Sequence, residues 1–186
     1  MLKETKKILF FFLFFMLFHN TLAFDDSDIF LDSVFFTAVK KSDYDKVIEM
    51  FEKGVSPNIL DREKMSPMAY ALRNDDKKMF ELLFKNGADI NKNILKKTSL
   101  LTFYIRNQRS KLLESLIEKG ADLNFQDSTG MTAVMHAIED DNIEALKILL
   151  NNKVETELTD YSGKTLYDYV ENSRNTYIKK LVSGVK

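Results

Sequence analysis

The sequence predicts an all-α solenoid of helix–turn–helix units, 33 residues each, joined by extended loops. Two observations predict it. Gly54, Gly87 and Gly120 recur at a spacing of 33, with Lys153 in the next slot. Ser33, Ser66, Ser99, Thr132 and Thr165 form a second ladder at the same spacing, without an insertion or deletion. A fixed period of this length marks a chain built from stacked units, each too small to bury its own apolar face.

Within each unit the hydroxyl residue supplies a helix N-cap. Five positions later comes Ala38, Ala71 or Ala137, small enough to let two helices approach closely. A second apolar stripe follows, such as Phe80 with Leu82-Leu83-Phe84 or Leu112-Leu113 with Leu116-Ile117, recurring three and four apart as one helical face requires. The glycine after the stripe sits where a helix end takes a left-handed residue. Asn58, Asn91 and Asn124, then Asp61, Asp127 and Asp160 with Ile94 filling the gap, mark the extended loop leading to the next unit. The units run over about 28–60, 61–93, 94–126, 127–159 and 160–186, within a domain of residues 24–186. The first and last read as end caps.

Residues 1–23 have a different character. Lys3, Lys6 and Lys7 precede an apolar run from Ile8 to Phe18, and small or polar residues lead to Ala23. A basic start, a short apolar core and Thr21 and Ala23 at the −3 and −1 positions describe a secretory signal peptide cut after Ala23. An uncleaved anchor is the alternative, although the run is shorter than the roughly 20 residues that span a bilayer. Either way the remaining chain is expected outside the cytoplasm, periplasmic or secreted.

Composition narrows the chemistry. The chain has 186 residues, a formal net charge of −1, no cysteine and two histidines. Thiolate nucleophiles, disulfides and zinc–thiolate sites are excluded. One histidine, His136, lies outside the signal segment, beside the acidic run Glu139-Asp140-Asp141, whose consecutive side chains diverge around a helix end. No Gly-rich phosphate loop and no metal-spaced cluster occurs. Basic pairs such as Lys77-Lys78 and Lys179-Lys180 are scattered, so nucleic acid is not an expected partner. No catalytic residue, cofactor or metal is expected, and the chain is expected to be monomeric.

The 33-residue period, the helix opening Ser66-Pro67-Met68-Ala69-Tyr70-Ala71 and the helix closings Leu82-Leu83-Phe84-Lys85-Asn86-Gly87-Ala88-Asp89-Ile90-Asn91 and Gly120-Ala121-Asp122-Leu123-Asn124 resemble the ankyrin repeat. The resemblance extends from about Ile29 to the C-terminus. It implies a protein-binding scaffold whose concave side is made of hairpin tips and first helices. On the tips this places Arg62, Met65, Leu95, Met131 and Tyr161. Late in the first helices it places Lys40, Arg73-Asn74, Arg106-Asn107 and Glu139-Asp140. The row turns from basic to acidic, and each tip offers one apolar or aromatic group to a partner. A regulatory or inhibitory subunit of an envelope enzyme, or a secreted effector acting on host proteins, fits the same resemblance. Three departures stand out. The family's histidine is replaced by Phe36, Ala69, Thr102, Met135 and Asp168, so cohesion between units is expected to lean on apolar contact. Tyr104 stands where alanine is usual and should rearrange its helix pair. Lys153 should alter the fourth closing turn.

Overall fold

The computed structural model describes residues 26–184. The predicted signal segment, residues 1–23, lies outside them. Among the described residues ten helices follow one another as five pairs: α1 Asp26–Lys40 with α2 Tyr44–Glu52, α3 Pro67–Arg73 with α4 Lys77–Lys85, α5 Leu100–Arg106 with α6 Leu113–Glu118, α7 Ala133–Glu139 with α8 Ile143–Leu150, and α9 Leu166–Asn172 with α10 Thr176–Ser183. The first helix of each pair packs on the first helix of the next, making one continuous inner row, α1 to α9. Among the described residues no helix is long and apolar enough to cross a membrane.

The hydroxyl ladder occupies the N-cap position of four of the five inner helices, and the two serines there make the capping bond. Ser66 Oγ accepts from the Ala69 amide at 3.2 Å and Ser99 Oγ from the Thr102 amide at 3.0 Å. Thr132 and Thr165 occupy the same extended N-cap position. Ser33 departs from the ladder: it lies inside α1, which already begins at Asp26. A second capping column serves the outer helices. Asp43, Asp76, Asn142 and Asn175 each accept a backbone amide of the helix that follows.

The core is one apolar cluster running through all five pairs. Ala38, Ala71 and Ala137 are buried in it, at the close approach the small residue was expected to allow. In the third pair Tyr104 is buried instead, and its effect is specific. Arg109 occupies the outer capping column, so α6 has no side-chain cap and begins only at Leu113. The Tyr104 hydroxyl fills the deficit, accepting from the Leu112 amide at 2.8 Å and donating to Asp75 Oδ1 at 2.6 Å. Arg109 joins the same carboxylate, its guanidinium 2.5 Å from Asp75 Oδ2. The rearrangement expected at Tyr104 is therefore a shortened outer helix tied back to the second pair.

Gly54, Gly87 and Gly120 adopt φ of +86° to +87°, closing their outer helices in the left-handed region. Val55, Ala88 and Ala121 then donate back to the carbonyls of Met50, Leu83 and Leu116. At the fourth closing Lys153 stays out of the left-handed region. Val154 instead donates to Asn152 O, so the turn is altered as expected.

Candidate functional site

Three of the four hairpin loops are each built on one carboxylate, Ile94 standing in its place in the third unit. Asp61 Oδ1 accepts from the amides of Glu63 and Met65, and Oδ2 from the Tyr70 hydroxyl. Asp160 repeats this with the Ser162 and Lys164 amides and the Tyr169 hydroxyl, which donates at 2.6 Å. In the fourth unit Asp127 binds the Thr129 and Met131 amides, and its Oδ2 lies 2.8 Å from His136 Nε2. The residue nine positions after the aspartate thus locks the hairpin onto its inner helix. This column of Tyr70, His136 and Tyr169 was missed in the sequence because it mixes residue types. Its signal was the fixed offset from Asp61, Asp127 and Asp160. His136 is buried and engaged in this lock.

These contacts set the local charge states. Burial works against ionisation of Asp61 and Asp127, but the hydroxyl and amide donors outweigh it and hold both carboxyls below the usual range. Asp160 is lowered by the Tyr169 hydroxyl and by the Lys164 amide. Tyr169 and Tyr104 are raised by burial and by the carboxylates they donate to.

Adjacent units are sewn together by the asparagine column. Asn58 Nδ2 donates to Gly87 O at 2.9 Å, while its Oδ1 accepts from the Asp89 amide at 2.8 Å. Asn91 makes the same pair with Gly120 O and the Asp122 amide. Asn124 keeps the amide bond, from Glu155, but its Nδ2 turns to the Glu155 carboxylate where the Lys153 turn departs from the pattern. Cohesion between units is thus polar as well as apolar. The apolar share includes Phe36, at the family's histidine position, whose ring meets Tyr70 edge-on at 6.0 Å.

The residues predicted to face a partner divide into two groups. Lys40, Arg62, Arg73, Asn74, Leu95, Arg106, Asn107, Glu139 and Tyr161 are exposed, and Asp140 is half-buried. Met65 and Met131 are not available: they are 4% and 7% exposed and belong to the core. Each immediately precedes the N-cap of an inner helix, Ser66 or Thr132, a position from which an apolar side chain folds down onto the first turn. Leu95 and Tyr161 lie at other points of their hairpins and stay 46% and 67% exposed.

The structure brings part of the set together. Lys40 Nζ lies 4.3 Å from the centre of the Tyr70 ring and 3.5 Å from Asp61 Oδ2, and the Arg73 guanidinium lies 4.6 Å from the same ring. The Tyr70 hydroxyl, with Asp61 beside it, holds Lys40 above the ordinary lysine range. Lys40 and Arg62 line one groove with Ile29, Phe36 and Leu60. Further along, the Lys97 ammonium donates to the Tyr161 hydroxyl at 3.1 Å, joining the third hairpin to the fifth across the small residues of the fourth. Tyr161 N also donates to Thr129 O at 3.0 Å. Hairpins and inner-helix ends therefore form one continuous face, basic over the first three units. At the fourth it becomes acidic: Glu139 Oε2 is 3.9 Å from His136 Nδ1, and Asp140 caps α7. Asn74 and Asn107 cap α3 and α5, and the Asn107 side chain is turned back onto Phe103 O.

Stacked helix pairs, left-handed glycine closings and hairpins locked by aspartate define a repeat scaffold of the ankyrin kind. The family model for ankyrin repeats matches residues 101–186 in three copies, so this stretch of the chain carries ankyrin repeats. A search among curated proteins finds no match. Ankyrin repeats are in general protein–protein interaction scaffolds.

Proposed function

We propose that this chain is an exported, monomeric, non-catalytic scaffold that holds a protein partner against its face of hairpins and inner-helix ends, in the periplasm or outside the cell. The observation that carries the reading is the exposed row Lys40, Arg73 and Arg106, one cation at the end of each of the first three inner helices. A basic residue in the last turn also suits its helix dipole, and Lys40 and Arg73 lie against the Tyr70 ring, but all three side chains remain exposed at one register of the face. Such a row steers and orients an incoming protein more than it stabilises the fold. Export rests on the basic start, apolar run and Ala23 of the first 23 residues.

The test is in-cell photo-crosslinking with a photoreactive residue at Arg106 or, as a control on the outer helices, at Glu144. The expected result is a discrete protein adduct from Arg106 alone, recovered in the exported fraction on a chain beginning at Phe24. Adducts at both positions or at neither reject the face. A chain retained in the cytoplasm rejects export.

A further inference from the structure

The charge on this face is out of step with the molecule. The whole chain carries −1, yet Lys40, Arg62, Lys64, Arg73, Lys96 and Arg106 are all exposed on the hairpins and inner-helix ends of the first three units. Carboxylates stand among them too, and Asp32 lines the groove with Lys40 and Arg62. Glu63 is exposed, and Asp61 is committed to its own turn through two amides and the Tyr70 hydroxyl. The other acidic groups of these units fall largely on the outer helices and their caps, where they are paired: Glu49 with Lys46 and Lys53, Glu81 with Lys119, and Asp76 with the Ser42 and Tyr44 hydroxyls. Cations gathered on one side of a chain that is net acidic create a local positive potential that the total charge conceals.

The same face carries an apolar station. Tyr161 is the most exposed aromatic of the hairpin row, and its ring is held in place rather than swinging free. Its hydroxyl takes the Lys97 ammonium, its amide is tied to Thr129 O, and its ring lies over Gly130 so closely that a Cβ there would stand 2.6 Å from Cδ1. A large aromatic fixed in advance contributes contact area with little loss of rotamer freedom on binding, as the anchors of protein interfaces do. Lys97 has its ammonium on Tyr161 and 5.9 Å from the Phe125 ring centre, so one cation borders the station.

Resting on the scaffold reading above, we infer that the partner is engaged through an acidic, extended segment bearing an apolar or aromatic side chain. Its carboxylates lie over the basic ends of the first three units and its apolar group against Tyr161. A nucleic acid is the less favoured polyanion. A continuous phosphate backbone following the row would run into Glu139 and Asp140, whereas a peptide can end its acidic stretch before them. Binding is electrostatically steered and weakens as salt is raised.

The experiment uses the purified exported chain and fluorescein-labelled synthetic peptides read by anisotropy. One peptide alternates glutamate with serine and ends in a phenylalanine. A second replaces every glutamate by lysine, a third replaces the phenylalanine by serine, and a single-stranded oligonucleotide is the fourth probe. The glutamate peptide is expected to bind at least about tenfold more tightly than the lysine peptide. The double variant R73E/R106E, on the surface and with unchanged melting temperature, should weaken it by about tenfold. Tyr161→Ser should weaken the phenylalanine peptide and leave the serine peptide unaffected. Equal binding of the glutamate and lysine peptides, indifference to R73E/R106E, or tighter binding of the oligonucleotide than of the glutamate peptide overturns the inference. If the Arg106 crosslink to a protein persists alongside any of these, the scaffold reading stands and the acidic class of partner is wrong.

Discussion

The Tyr104 hydroxyl donates a 2.6 Å hydrogen bond to Asp75, so the third unit is fastened to the second at the point where its own helix cap is lost. The same oxygen accepts from the buried Leu112 amide. Tyr104→Phe keeps the packing but leaves that amide without its partner and removes one donor from Asp75. Stranding a buried amide costs about 1–3 kcal/mol. The variant should therefore unfold at lower urea concentration by that amount, monitored by far-ultraviolet circular dichroism. Restoring a cap with Arg109→Asp should not rescue it, because it brings a second carboxylate toward Asp75. Loss below a few tenths of a kcal/mol would show that water replaces the hydroxyl.

The left-handed closings make a second prediction. At Gly87, φ is +86° and the carbonyl receives Asn58 Nδ2, so one residue both ends its helix and bridges to the unit before it. Gly87→Lys imposes the residue found at the fourth closing. A side chain in this region costs about 1–2 kcal/mol, and relaxing out of it displaces the acceptor of Asn58. Thermal melts should show Gly87→Lys destabilised by at least that amount. Asn58→Ala made in the Gly87→Lys background should then cost less than Asn58→Ala alone, since the bond it removes is already impaired.

What was legible in the sequence followed from how many jobs a column does. Gly54, Gly87 and Gly120 each meet one backbone demand that few other residues satisfy, so the period survives as identical letters. The departures at Tyr104 and Lys153 were legible for the same reason, and the structure shows a local change at both. The lock nine residues after each aspartate was not legible, because a tyrosine hydroxyl and an imidazole nitrogen serve equally well. Nor was the outer capping column of Asp43, Asp76, Asn142 and Asn175, which changes from carboxylate to amide and is broken by Arg109. On the candidate face every predicted charged position except the half-buried Asp140 is exposed, since nothing in the core can take them. The methionines are not. Whether an apolar residue of a hairpin is exposed depends on its place relative to the N-cap. Met65 and Met131 occupy the position that folds inward, while Leu95 and Tyr161 do not.

The hairpin carboxylates predict a dependence on acid. Asp61, Asp127 and Asp160 titrate below their ordinary values in the folded chain. A lowered folded value means that the unfolded chain binds protons more readily. The stabilisation is therefore complete above the unfolded value of about 4 and is lost as pH falls through the folded values below it. Urea midpoints should be flat from about pH 7 to pH 5 in respect of these groups and drop steeply below about pH 4. Asp160→Asn keeps an acceptor for the Ser162 and Lys164 amides but has no charge to lose. It should start less stable at neutral pH and show a shallower decline on acidification. A decline as steep as that of the unaltered chain would place the acid sensitivity in other groups.

Gly130 and Gly163 offer a contrast within one fold. Both lie in the left-handed region, at φ of +83° and +86°, so alanine at either position bears the same backbone strain of about 1–2 kcal/mol. Their surroundings differ. Around Gly163 an added Cβ meets nothing within 4 Å, whereas at Gly130 it would stand 2.6 Å from both Cδ1 and the backbone nitrogen of Tyr161. The ring can move, but the nitrogen is held by its bond to Thr129 O. Gly130→Ala should therefore be more destabilising than Gly163→Ala by thermal melting. Adding Tyr161→Ser should recover only the part of the excess that belongs to the ring. The steric excess also displaces the exposed anchor, so Gly130→Ala should weaken binding of the phenylalanine-bearing glutamate peptide as Tyr161→Ser does, whereas Gly163→Ala should not. Equal melting temperatures for the two alanine variants would mean that the fifth hairpin yields freely, and Tyr161 would then lose its standing as a fixed anchor.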